Sequence, residues 1–243
     1  MAVEVFNRQE LKFVINGEQF KCMLAGIMPY MYFDKHNDNG KTYRLYNLYI
    51  DTEDNALIRH SLSKPQYKEK LRIRSYHEFK GDDTVFLEVK KRYKDITNKR
   101  RTKITYADAL ALIETGKIMQ LHGYMNPQVA YELEAMVNAA RYYPKTFITY
   151  DRLALFSADE TDDLRITFDT NITSRRYGED ETKSLLSDDR IIMELKSFRN
   201  IPMWLVDLLS KLDVRKQSFS KYGQEYLGYL RTGKETVTGG LHP

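Results

Sequence analysis

The chain has 243 residues, 42% of them hydrophobic and 30% charged, which is sufficient for the core of one large domain. A net charge of only +4 excludes a uniform basic coat for nucleic acid, so any basic site must come from local clustering. The single cysteine, Cys22, excludes an internal disulfide and a cysteine-rich zinc site, and no apolar run reaches membrane-spanning length.

The first residues, MAVEVFNRQELKF, lack the apolar block of a signal peptide, and a cytoplasmic protein is expected. Residues 4–15 read as a strand, followed by a helix over GEQFKCMLAGIM. YRLYNLYID (43–51) reads as a strand, and TEDNALIRHSL as a short helix with Thr52 as N-cap. Strands at 67–76 and 84–92 flank the turn KGDD and form a hairpin. A strand at 100–105 leads into the amphipathic helix YADALALIETG, closed by Gly116. QVAYELEAMVNAARYY is the clearest longer helix, and Pro144 is expected to stop it. KTFITYDRLALF, LRITFDTNITSRR and IIMELKSF are three further strands, and IPMWLVDLLSKL is a helix with Pro202 near its first turn. SFSKYGQEYLGYL mixes strand and helix character. One domain is expected over 1–231, with a flexible tail over 232–243. Strands of similar length with helices inserted between them predict an antiparallel α+β fold.

Charge alternates along these strands. Lys68, Lys70, Arg72 and Arg74 fall at every second position, with Leu71 and Ile73 between them, so cations take one face and apolar groups the other. The same grammar groups Arg8, Glu10 and Lys12; Glu88, Lys90 and Arg92; Arg101 and Lys103; Tyr150 and Arg152; Arg165, Thr167 and Asp169; Glu194 and Lys196; and, if 216–221 is extended, Lys216, Ser218 and Ser220. On a single strand such a stripe is the solvated face of a sheet. Across seven segments dominated by Arg and Lys, the alternative is a barrel with a charged interior. A basic interior repels itself unless it holds an anion, and phosphate chains suit Arg forks and Lys point charges. Interspersed carboxylates would then hold a divalent cation bridging the phosphates. The five histidines show no metal-ligand spacing. Asp51 reads as a cap for the following helix, and Trp204 as packing against the strands.

RQELKF, YIDT, KLRIRSY, FLEVKKR, TNKRRTK, TYDR, RITFDTNI, IMELK and SFSKYG, in this order from about residue 6 to about residue 225, resemble the VTC domain. This is the polyphosphate polymerase domain of the triphosphate tunnel metalloenzyme superfamily. The resemblance implies an eight-stranded antiparallel β tunnel, a closed barrel with a basic interior and helices around it. It also implies binding of ATP or another nucleoside triphosphate, and of polyphosphate, with Mn²⁺ or Mg²⁺.

Carried over position by position, the resemblance makes Lys12 the basic residue of the first strand and Arg72 and Arg74 the paired arginines. Lys90 becomes the lysine of the E-x-K strand, and Lys103 the lysine thirteen residues on. Tyr150 and Arg152 form the Y-x-R pair, Glu194 is the metal-binding glutamate, and Ser220 and Lys221 are the terminal S-K pair. Lys70 and Lys196 join the phosphate-binding set by sharing faces with these residues. Arg72, Arg74, Lys90 and Arg152 are expected to neutralise phosphate oxygens during transfer, with Glu10, Glu88 and Asp169 as further metal ligands or as charge partners of the cations. The superfamily's E-x-E-x-K first strand is here Arg8-Gln9-Glu10-Leu11-Lys12, and losing one carboxylate to Arg8 favours transfer over hydrolysis. A basic residue expected at Ser218 is absent, with Lys216 two places back.

The expected function is phosphotransfer from a nucleoside triphosphate to a polyphosphate chain. The alternatives are hydrolysis of triphosphate or short polyphosphate, and polyanion binding without catalysis. A membrane partner for export would lie outside this chain, and no nucleic-acid partner is expected.

Overall fold

The computed structural model describes residues 5–6, 9–37, 40–94, 96–159, 163–197 and 200–233. Among these the chain runs β1 (Val5–Phe6), β2 (Gln9–Asn16), α1 (Gly17–Ile27), β3 (Met31–Phe33), β4 (Tyr43–Thr52), α2 (Ala56–Leu62), β5 (Tyr67–Ser75), β6 (Thr84–Tyr93) and β7 (Ile96–Thr105). It continues through α3 (Tyr106–Thr115), α4 (Pro127–Ala139), β8 (Tyr142–Ser157), β9 (Arg165–Arg176), β10 (Thr182–Ser184), β11 (Arg190–Ser197), α5 (Met203–Lys211) and α6 (Lys221–Leu230). The fold is α+β, as its alternating strand pattern predicts.

All strands join one antiparallel sheet in the order β1-β7-β6-β5-β4-β8-β9-β11-β2, with β10 beside β9 and β3 beside β8. Lys90 on β6 and Glu10 on β2 lie six strands apart along this path, roughly 29 Å in a flat sheet. Their side chains nevertheless meet at 2.9 Å. The sheet is therefore curled, with the face carrying these residues inside. The expected eight strands become eleven, because β1, β3 and β10 are too short to show as periodic runs. The expected closed ring is not completed by a ladder: among the described residues β2 pairs with no strand of the β5–β7 hairpins. Its free edge instead meets the segment before α6, through the Phe13–Lys216 bridge and the Gln217 N–H donating to the Lys12 carbonyl at 2.8 Å. Arg8 lies outside the described residues.

Alternation sorts the core into three clusters. Leu71, Ile73, Leu87 and Val89 point outward and pack under α3 and α4. Phe13, Ile166, Met193 and Leu195 do the same under α1 and α5, with Trp204 packed at that margin. At the close crossing of α1 and α5, a Cβ on Gly26 would come within 2.8 Å of Leu208. The third cluster lies on the inner face, where Tyr222 and Tyr226 of α6 and Ile58 of α2 pack on Leu45, Tyr49, Ile148 and Tyr150. Two helices thus sit on the cation-bearing face at one end, where the resemblance placed helices only around the outside.

Local signals account for most boundaries. Asn16 and Gln19 form a capping box on α1, Thr105 caps α3, and Gly116 ends it at φ 71°. The N-cap of α2 is Asn55, at φ 59°, rather than the expected Thr52; Asp51 accepts from the Leu57 and Ile58 N–H groups at 2.8 and 3.0 Å, and Thr52 Oγ1 from Ala56 N–H, so both satisfy the first turn from outside it. Pro144 does not stop α4, which ends at Ala139. It lies inside β8, opposite Ile50, where the register with β4 shifts and a residue without an N–H is tolerated. Ser220 is the N-cap that resolves SFSKYGQEYLGYL into a short extended stretch and α6. Lys216 and Ser218 are both exposed before that cap. Of the expected tail, Thr232 and Gly233 close a turn on Tyr229 and Leu230. Residues 234–243 lie outside the described residues.

Candidate functional site

Strand register brings the inward residues into three connected groups. In the first, Arg72 donates to Glu88 Oε2 through Nε at 3.0 Å and Nη2 at 2.9 Å, and to Tyr49 OH at 3.3 Å. Arg74 donates to Asn47 Oδ1 at 3.0 Å and Tyr150 OH at 3.3 Å. Lys99 on β7 reaches Glu88 Oε1 at 2.6 Å. Glu88 is 1% exposed; burial alone would raise its pKa, but Arg72, Arg74 and Lys99 outweigh that and hold it well below the usual carboxylate range.

In the second group, Lys12 lies between two acids, 3.1 Å from Glu10 and 3.6 Å from Glu194. Glu10 also meets Lys90 at 2.9 Å, and Glu194 meets Lys196 at 2.5 Å. Burial and Glu194 push the Glu10 carboxyl up, but Lys90, Lys12 and Lys196 bring it down to about 2. Burial raises Glu194 as well, and Lys196 and Lys12 hold it far below its ordinary value. In the third group, Arg152 grips Asp169 with two bonds of 2.6 and 2.8 Å, and Lys221 at the start of α6 reaches the same carboxylate at 2.5 Å. Asp169 sits at about 2, because Arg152 and Lys221 overcome the effect of burial.

Lys70 stands between these groups. Its Nζ donates to Ser220 Oγ at 2.7 Å, and among the described residues no carboxylate pairs with it. Burial, followed by Lys12, Lys90, Lys68 and Arg72, brings it down to about 7. The face therefore has more cations than Glu10, Glu88, Asp169 and Glu194 can neutralise, and the excess is concentrated where α6 begins. Tyr150, beneath the Arg152 and Lys221 cations, is brought down to about 8 by Arg74 and Arg152 despite burial.

The register places Lys12, Lys70, Arg72, Arg74, Lys90, Tyr150, Arg152, Lys196, Ser220 and Lys221 on this one interior, with Glu10, Glu88 and Glu194. Lys103 shares the face but is exposed at the strand end opposite Phe86. Lys99 was missed because the strand starts at Ile96 rather than residue 100. The period-two series Lys99, Arg101, Lys103 within TNKRRTK carried the signal. Asn47 and Tyr49, which orient the two arginines, are neutral and showed no charge pattern. The outer-face hollow of about 440 Å³ lined by Tyr67, Lys91, Arg100 and Glu132 has its charges satisfied internally, with Lys91 and Arg100 both on Glu132.

The acids proposed as metal ligands divide. Glu10 and Glu194 flank one lysine and form a two-carboxylate pair, whose oxygen donors suit a hard cation such as Mg²⁺ or Mn²⁺. Glu88 is committed to Arg72, Arg74 and Lys99, shares no partner with that pair, and does not fit a common cation site. Among the described residues no three acid, histidine or cysteine side chains converge to hold a metal by themselves.

The family model described as the VTC domain matches residues 7–228. By structure, the chain is similar to a candidate adenylate cyclase from Bacillus halodurans, at 12% identity and a TM-score of 0.53, over 92% of this chain and 99% of that one. At that identity the likeness shows the fold alone. A chain of the Schizosaccharomyces pombe Mediator head module aligns over 93% of this chain and 95% of its own, with 10% identity and a TM-score of 0.38, which carries no argument. No curated protein matches by sequence. Among the described residues, no helix is long and apolar enough to cross a membrane.

Proposed function

Because the chain belongs to the VTC domain family, we propose that it is a metal-dependent phosphotransferase. It binds a nucleoside triphosphate and polyphosphate inside the curled sheet, which acts as a tunnel, and passes the terminal phosphate to the chain. The observation that carries this reading is that Lys70, with no carboxylate partner among the described residues, stands beside the further cations Lys12, Lys90, Lys68 and Arg72.

Arg72 and Arg74 are held rigidly by Glu88, Asn47 and Tyr150, and present forks for phosphate oxygens without reorganisation. Lys70 and Lys90 add point charges beside them. Arg152 and Lys221 share Asp169, so an arriving phosphate can take over part of their hydrogen bonding. The attacking group is an oxygen of the bound chain, so the protein's part is positional and electrostatic. Glu10 and Glu194 would hold Mn²⁺ or Mg²⁺, which when bound neutralises charge on bridged phosphates. Before that, Lys12, Lys90 and Lys196 keep the two acids ionised.

The test is incubation of the purified protein with ATP and Mn²⁺, with products resolved by gel. A ladder of long chains supports transfer. Release of free phosphate alone replaces transfer with hydrolysis, and binding without turnover reduces the protein to a polyanion-binding module.

A further inference from the structure

One end of the interior is filled by α6 and α2. Tyr222 stacks on Tyr49 at 4.6 Å, and its hydroxyl donates to Asp51 at 3.0 Å. The opposite end of the interior lies where β4 begins, β5 ends and β6 begins. Four rings gather there. Tyr76 lies 5.9 Å from Tyr43, 6.0 Å from His36 in a stacked arrangement, and 6.3 Å from Phe86, centroid to centroid. His36 also meets Tyr43 at 6.1 Å.

These rings adjoin the cations. In the strand ladders Phe86 is the partner of Arg74, and Tyr43 the partner of Arg152. Arg101 lies over Phe86 at 4.7 Å, adding a planar guanidinium to the aromatic rim. His36, Tyr76 and Phe86 belong to none of the three cores, and Tyr76 is 46% exposed. The short turn carrying His36 is fixed rather than loose. Buried Asn37 donates to the Arg152 and Lys41 carbonyls and accepts from Ala154 N–H, each at 2.9 Å. Asp34 accepts from His36 N–H at 3.0 Å and pairs with Arg165.

We propose that His36, Tyr43, Tyr76 and Phe86 form a stacking platform for the base of a nucleoside triphosphate, at the open mouth of the phosphate site. This rests on the triphosphate reading above and adds the orientation: base at the rim, phosphates inward toward Arg74, Arg72 and Lys70. The occupant follows from the juxtaposition. Exposed His36 and Tyr76, packed on the partly buried rings of Tyr43 and Phe86 beside Arg74 and Arg152, match a ligand that is planar at one end and polyanionic at the other. Stacking of this kind tolerates base identity, since every base has a π face.

The test is calorimetric titration of the full chain with ATP and, separately, with inorganic tripolyphosphate, both without metal. Wild type should bind ATP more tightly than tripolyphosphate. Tyr76→Ala should weaken ATP about tenfold and leave tripolyphosphate within about twofold, and Tyr76→Trp should restore ATP. His36→Ala should act in the same direction. Equal weakening of both ligands by Tyr76→Ala would show that the rings only brace the strand ends. Unchanged ATP affinity in both variants would remove the platform while leaving the triphosphate site standing. A wild-type protein that binds neither ligand would overturn the triphosphate reading, and the platform with it.

Discussion

Lys70 on β5 and Ser220 at the start of α6, 150 residues apart in sequence, meet at 2.7 Å. The same hydroxyl accepts the Gly223 N–H at 3.0 Å and caps α6. One oxygen thus serves the helix and holds the cation that lacks a carboxylate. Ser220→Ala should cost about 1 kcal/mol in a denaturant melt through the lost cap. Among the described residues Lys70 should then lack the side-chain partner it has in Ser220.

Proton linkage follows from the depressed pKa of Lys70, about 7 against an ordinary 10.5. Between those values the unfolded chain holds more protons than the folded one, so the contribution of Lys70 to stability rises with pH across that window. The ligand-free protein should melt higher at pH 9 than at pH 7, and Lys70→Met should flatten the rise. Lys99, also at about 7 mainly through burial, contributes in the same sense. Triphosphate binding at pH 8 should draw protons onto these lysines. Calorimetry in two buffers of different ionisation enthalpy reads that uptake, and identical heats in both would show the lysines already charged.

Arg72→Ala and Arg74→Ala should each weaken tripolyphosphate binding by about ten- to a hundredfold, the loss of a charge-assisted contact. Their effects on folding should differ. Arg72 is the main partner of buried Glu88, whereas Arg74 leans on neutral Asn47 and Tyr150. Arg72→Ala should therefore lower Tm more than Arg74→Ala. Unchanged affinity in calorimetry would remove both from the site.

Glu194→Gln and Glu88→Gln separate metal binding from charge pairing. Glu194→Gln should collapse turnover and shift metal dependence to higher concentration, while metal-free tripolyphosphate still binds because Lys12 and Lys196 are released from the acid. Glu88→Gln should destabilise the fold by about 3–5 kcal/mol, as expected for breaking a buried ion pair, and leave the metal dependence where it was. Near-normal turnover of Glu194→Gln at low Mn²⁺ would overturn the assignment.

Midway along α6, Glu225 meets Arg176 at 2.7 Å, yet burial pushes its carboxyl up to about 7 from an ordinary 4.5. A raised acid favours the folded state when neutral. Its contribution is complete below pH 4.5 and is lost as pH rises through 7, up to about 3 kcal/mol. Glu225→Gln should match wild type at pH 5 and melt higher at pH 8. A variant that melts lower at pH 8 would show that the ionised pair with Arg176 dominates.

Much of this was legible in the sequence. The alternation of Lys68–Arg74 with Leu71 and Ile73 fixes which face of β5 is wet, and the register carries that choice to its neighbours. The service of Asp51 and Thr52 to the first turn of α2 was readable from their spacing to Ala56–Ile58. What escaped depended on partners distant in sequence. The curl of the sheet and the inward position of α6 are set by packing between elements. Pro144 misled because its local rule describes a helix stop, while a register shift between β4 and β8 gave it a place in a strand.

The last helix forms the floor of the site. Lys12 reaches forward 207 residues to the Phe219 carbonyl, and Lys221 closes on Asp169 from the same segment. During synthesis from the N-terminus, the basic strands all emerge before the element that orders them. Lys70 and Asp169 will therefore gain their α6 partners only after that helix has been made, later than the Arg72–Glu88 pair between neighbouring strands.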